Sequence, residues 1–172
     1  MSISMYQASI PVFIRGLENL SRVIEKGAMH AITRKIDPDT LLNARLYPDM
    51  FPLIRQVQSA SDAAKGGGAR LAGIDIPGMP DTEVTFIELQ QRIDKTIHFL
   101  RSLKQEQIDG SEGRPVVVKT RTRELNFSGQ NYLLEFALPN FFFHVTTAYA
   151  ILRHNGVEIG KVDYLGPAGT PL

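Results

Sequence analysis

Four histidines, at positions 30, 98, 144 and 154, are the side chains of this sequence best suited to proton transfer or metal binding near neutral pH. There is no cysteine, which removes disulfides, thiolate metal sites and a cysteine nucleophile. His144 and His154 stand ten residues apart, roughly 15 Å along a helix axis, too far to share one ion. His154 suits a helix C-terminus, where positive charge meets the negative end of the helix dipole. His98 lies about 140° from the centre of the nearest apolar stripe and is read as facing solvent, and His30 belongs to no motif. His144 differs, because it flanks an apolar stripe and is followed by Thr146-Thr147. It is either a hydrogen-bonded interior histidine or the lining of a cleft. The polar groups that could join it are Gln56 and Ser59 from an earlier helix and Tyr149 from its own, so His144, Gln56, Ser59 and Tyr149 are the candidate ligand-binding residues.

Other constellations carry less. The run Gly66-Gly67-Gly68 lacks the Lys-Ser/Thr of a phosphate loop and follows no strand. Ser59 and Ser61 beside Asp62 are neighbours in sequence, with no histidine partner to make them a triad. With 19 basic against 18 acidic residues and no basic run interleaved with aromatics, nucleic acid is not an expected partner. The N-terminal stretch lacks a basic segment followed by a long apolar one, and no run reaches 18 apolar residues. A cytoplasmic protein without membrane contact is expected. A chain of 172 residues without a shift in composition reads as one domain.

These residues are positioned by amphipathic helices. Tyr6, Ile10, Phe13, Leu17, Leu20 and Ile24 alternate spacings of four and three, which predicts a first helix ending at Gly27, with a kink or a loosened first turn caused by Pro11. A shorter piece, Ala28 to Ile36, should follow. Leu53, Val57, Ala60, Ala64, Gly67 and Leu71 predict a second helix, capped by Asp49, whose small face lets a neighbour approach closely. A loop at the triple glycine is the alternative, since each glycine costs about 1 kcal/mol in a helix interior. Thr85 and Glu88 have capping-box spacing ahead of Phe86, Leu89, Ile93, Ile97 and Leu100, a third helix reaching about Lys104. Val116 to Thr120 and Glu124 to Phe127 read as a β-hairpin, and Ser128 caps a short helix running to a turn at Pro139.

The last bundle helix is predicted over Pro139 to Gly156, with Asn140 as cap and Phe141, Ala148, Tyr149 and Leu152 all within about 60° of Val145 on one stripe. The tail beyond Gly156 should be an extended segment laid over the bundle, its last few residues disordered.

The segments LPNFFFHVTTAYAILRHNGVEIGKVDYLG, MYQASIPVFIRGLENL and FPLIRQVQSASDAAKGGGARLAG closely resemble an uncharacterised bacterial family, the DUF family numbered nineteen ninety-three in the DinB/YfiT-like superfamily. The resemblance covers nearly the whole chain. It implies a mainly α fold, a four-helix bundle in up-down-down-up order, here with a small hairpin and a C-terminal tail, frequently dimeric. It supplies no reaction. Better-known relatives in that superfamily are metal-dependent thiol transferases or hydrolases that hold the metal with one histidine on the second bundle helix and two spaced four apart on the last. His144 resembles the first of that last pair, but four residues on stands Ala148, and the second helix has no histidine. The metal triad is therefore read as lost, with no cofactor expected.

Two functions follow. The first is a bundle that has kept the fold without the metal and binds a small ligand or another chain. The alternative is a metal-dependent transferase or hydrolase in which His144 works with Gln56 and a residue from the tail. A homodimer is expected on either reading. Phe142, Phe143 and Ile151 extend the apolar surface of the last helix beyond its stripe, although the hairpin and tail are competing covers.

Overall fold

The computed structural model describes residues 3–120 and 122–167; the final residues, for which disorder is expected, lie outside the described residues. The helix α1 runs from Met5 to Arg34, followed by the single turn α2 (Pro38–Leu42), then α3 (Leu53–Ala72), α4 (Phe86–Ser102) and the short α5 (Gln105–Ile108). A two-stranded antiparallel hairpin comes next, β1 (Pro115–Lys119) and β2 (Glu124–Ser128), pairing Val116 with Phe127 and Val118 with Leu125. The chain then enters α6 (Gly129–Asn131), a π-helical segment (Tyr132–Ala137) and α7 (Leu138–His154), and ends on a one-turn helix, α8 (Lys161–Leu165).

Side-chain contacts fix the directions of the four long helices. Gly27 of α1 meets Phe86 of α4 while Ser21 bonds Gln90, so these two are antiparallel. Ser61 bonds Thr96 and Gly68 abuts Leu100, which makes α3 and α4 parallel and requires the long crossover from Gly73 to Thr85. Gly16 meets Phe141 and Gly27 meets Leu152, so α1 and α7 are parallel. The result is the up-down-down-up bundle, with one contiguous core built from Phe13, Leu17, Leu20, Val57, Leu89, Ile93, Phe141 and Leu152 among others. Phe13 meets Phe141 edge-on with centroids 5.2 Å apart, a favoured aromatic geometry at the bundle centre.

The glycines explain how closely the helices sit. A Cβ at Gly67 would lie 2.8 Å from the Phe13 ring, and one at Gly68 2.8 Å from both Leu100 and Leu103. The triple glycine therefore stays helical, because the packing gained by close approach outweighs its poor helix propensity. Gly27, expected to end α1, does the same: a Cβ there would stand 2.9 Å from Leu152, and the helix passes through it to Lys35, which adopts the left-handed conformation at φ 54°. Pro11 does not loosen the first turn, because Ser4 and Gln7 close a capping box at 3.3 and 3.1 Å.

Three further boundaries differ from expectation. The α3 helix begins after Pro52, with no side-chain cap, so Asp49 does not cap it. Pro139 marks no turn, since Leu138 N–H reaches back five residues to the Leu133 carbonyl, and the wider π turns carry the chain past the proline ring. Asn140 consequently lies inside a continuous helix and caps nothing. The tail is not wholly extended: Val157 and Ile159 are buried, and α8 lies on α1 with Asn19 and Arg15 donating to the Tyr164 and Leu165 carbonyls. By contrast Thr85 and Glu88 form the expected capping box, with Glu88 Oε2 held by the N–H groups of Val84 and Thr85.

Candidate functional site

The antiparallel packing of α3 against the 129–154 helix leaves a groove of about 250 Å³ between them. Gln56 meets His144 at one end and Arg70 meets Tyr132 at the other. Ser59 and Arg70, both in its lining, are eleven residues apart, so it extends roughly 16 Å along the helix axis. Ala63, Ala137, Phe136 and Val118 of β1 give it apolar walls, and Asp62 and Asn140 are polar groups between its ends.

At the first end the orientation of His144 is determined. Gln56 is buried and its Nε2 donates to the Phe51 carbonyl at 3.1 Å, an acceptor that only an amide N–H can satisfy. Its Oε1 therefore faces His144 Nδ1 at 2.7 Å, so Nδ1 carries the proton. Burial, with the Arg55 charge as a second cause, holds the imidazole below its ordinary pKa of 6.5. The ring is neutral at pH 7 and its Nε2 is an unprotonated acceptor with no partner among the described residues. Such a nitrogen can accept a hydrogen bond or a proton from a bound molecule.

Along the edge of this groove runs an ion network that ties the crossover down. Arg92, with its side chain 1% exposed, reaches Asp62 at 2.8 Å, Asp81 at 3.0 Å and Glu83 at 3.1 Å, and also meets Ser61 and the Pro80 carbonyl. Lys65 adds a contact to Asp62 at 2.9 Å, and Arg55 pairs with Asp81. Three carboxylates thus answer three cations, and each side of the crossover is fixed to α3 or α4. This balance is why buried charge is tolerated here.

The second end is different. Arg70 donates to the Tyr132 hydroxyl at 3.2 Å and lies 5.7 Å from the centroid of that ring, but has no carboxylate partner among the described residues. Burial raises the pKa of Tyr132, whose hydroxyl stays protonated and keeps its own hydrogen to donate.

Of the four residues singled out from sequence, the fold joins His144 to Gln56 directly and sets Ser59 in the same groove. Tyr149 is elsewhere. Five residues at 100° each turn it about 140° from His144, onto the side where it packs edge-on against Tyr164 at 5.8 Å. Ser59 makes no hydrogen bond to His144, and Ser61 bonds Thr96 instead. His98 and His154 are exposed, and His30 is half-buried. Sequence reasoning missed Arg70, Tyr132 and Asn140. Arg70 had a readable signal, since it stands one helical turn after Gly66, where a missing side chain lets an arginine lie back over the helix. Tyr132 and Asn140 had none, one reading as core and the other as a cap.

A divalent ion of the kind the superfamily resemblance implies needs several converging donors. Here Ala148 is fully buried, α3 carries no histidine, and no group of three or more His, Asp or Glu among the described residues is placed to hold a metal. The residues present do not fit that group.

Residues 5–165 match the family described as a domain of unknown function (DUF1993). The crystal structure of a DinB family member protein from Shewanella denitrificans, determined at 1.83 Å, is 40% identical, covers 97% of this chain and 94% of its own, and superposes with a TM-score of 0.86. No curated protein matches. No helix among the described residues is long and apolar enough to cross a membrane.

Proposed function

From the premise that this chain belongs to the DUF1993 family, whose fold is that of the DinB family, we propose that it is a cytoplasmic bundle that binds a small molecule in the groove between α3 and the 129–154 helix. The observation that carries this reading is the chain of bonds from the Phe51 carbonyl through Gln56 to His144. A surface histidine needs no such support. Fixing the tautomer of a groove-lining imidazole orients one acceptor nitrogen for a partner outside the protein. Ser59 and Asn140, which also line the groove and whose side chains have no partner among the described residues, supply hydroxyl and amide groups.

Chemical-shift mapping with a library of small neutral fragments tests the reading. Fragments bearing a hydroxyl or amide donor should shift the resonances of Ser59, Asn140 and the His144 imidazole, and His144→Phe should remove that response. A library with no groove binder overturns it. Metal content is measured on the same protein, purified without an affinity tag. Stoichiometric zinc or nickel that disappears in His144→Ala would replace this reading by the metal-dependent transferase or hydrolase.

The protein is also read as a homodimer. Phe142 and Phe143 support this, being 36% and 54% exposed on α7. Ile151 does not, because its own chain covers it completely.

A further inference from the structure

Arg70 is an anomaly among the inward-leaning cations. Arg92 and Lys65 are each neutralised by carboxylates, and the half-buried Arg114 is engaged by the carbonyls of Leu71 and Gln107. Arg70, like Arg114, has no carboxylate partner among the described residues, and where two backbone carbonyls engage Arg114, Arg70 has one hydroxyl, that of Tyr132. Asp62, the carboxylate lining the same groove, sits eight residues away on the same helix, about 12 Å along the axis. It is already engaged by Arg92 and Lys65.

The position of the guanidinium is prepared. A Cβ at residue 66 would stand 2.5 Å from Arg70 Nη1, so the side chain folds back over bare backbone that only glycine leaves. The Tyr132 ring lies against it at 5.7 Å, and the hydroxyl at 3.2 Å holds one Nη while retaining its own proton. Several guanidinium N–H groups and one phenolic O–H therefore converge on the end of the groove, with no anion among the described residues to receive them.

We infer that this end of the groove is an anion subsite and that the ligand is a small organic acid, its carboxylate held by Arg70 and the Tyr132 hydroxyl. Its apolar body lies along Ala63, Ala137 and Phe136 toward His144. A planar carboxylate matches the fork of a guanidinium and accepts from both groups at once. Between the two ends Ala63, Ala137 and Phe136 offer an apolar strip beside the polar Asp62 and Asn140, room for one short hydrocarbon chain, and among the described residues no second cation lines the groove to favour a dianion. This inference rests on the groove being the binding site, and it adds the chemical class.

The test is a titration of ¹⁵N-labelled protein, at constant ionic strength, with hexanoate, hexanol, hexylamine and inorganic phosphate in separate arms. Hexanoate should give saturable shifts at amides 66–71 and 130–137, with an affinity roughly tenfold or more above that of hexanol, the gain of one charge-assisted contact. Arg70→Met should bring hexanoate down to the level of hexanol and leave hexanol unchanged. Gly66→Ala, which keeps the arginine but pushes its guanidinium away, should also lower hexanoate affinity, an effect that a purely structural Arg70 would not produce. Equal affinities for hexanoate and hexanol would overturn the anion subsite while leaving the groove as a binding site. Hexylamine binding best, or phosphate matching hexanoate at the same amides, would overturn the organic-acid class. Absence of saturable shifts with every probe would overturn both the inference and the groove.

Discussion

The Gln56 carbonyl oxygen and His144 Nδ1 stand 2.7 Å apart across the interface between α3 and α7, and this one bond decides which nitrogen of the imidazole faces outward. Because burial lowers the His144 pKa below 6.5, the folded protein binds this proton less readily than the unfolded chain does. Between the depressed value and 6.5 the unfolded state carries more protons, so stability rises with pH. The contribution is complete above 6.5 and lost as pH falls toward the folded pKa. Urea midpoints measured from pH 7.5 downward, a range of about two units around the ordinary histidine value, should fall more steeply for the native protein than for His144→Gln. Parallel profiles would contradict the assignment.

Gly67→Ala should destabilise, although alanine is the better helix former by about 1 kcal/mol. The new methyl would meet the Phe13 ring at 2.8 Å, and that ring is fully buried against Phe141 and has no room to retreat. Overpacking of this kind costs about 1–3 kcal/mol, and the larger Ala64→Leu, on the same closed face, should reach the upper part of that range. A lower denaturation midpoint with an unchanged slope is the expected signature.

Replacing Arg92 by methionine keeps a long apolar stem but removes the charge shared by Asp62, Asp81 and Glu83. Leaving buried charge uncompensated costs about 3–5 kcal/mol, and the lower end applies because Asp62 and Asp81 retain contact with water at 45% and 34% exposure. Added salt should recover part of the loss by screening the carboxylates from one another. Faster amide exchange across residues 73–85 would report release of the crossover.

Sedimentation equilibrium over a wide concentration range should show a species of twice 19.1 kDa, with Phe143→Ser shifting the population toward monomer. A single 19.1 kDa species at the highest concentration would defeat the dimer.

Periodicity alone determined the long helices and the hairpin, because the 3.6-residue and two-residue repeats of buried apolar side chains are local properties of a chain. The Thr85 and Glu88 capping box was equally legible, since its partners are three residues apart. The sequence also determined which side chains are missing, because a cysteine, or a histidine at position 148, cannot be supplied by folding. Only the tertiary structure decided what depends on the register between helices. The same glycine can end a helix or admit a neighbour, and it was Leu152 packing against α1 that kept Gly27 helical. Pro139 looked like a boundary until the π turns ahead of it absorbed its ring. Asp62 pointed away from the stripe of its own helix, and its role appeared only when α4 brought Arg92 to it from thirty residues further along. The sliding of one helix along another is set by many weak contacts summed over an interface, and no single residue or spacing carries that sum. That register joined Gln56 to His144, turned Tyr149 away from them, and set Arg70 beside the Tyr132 hydroxyl.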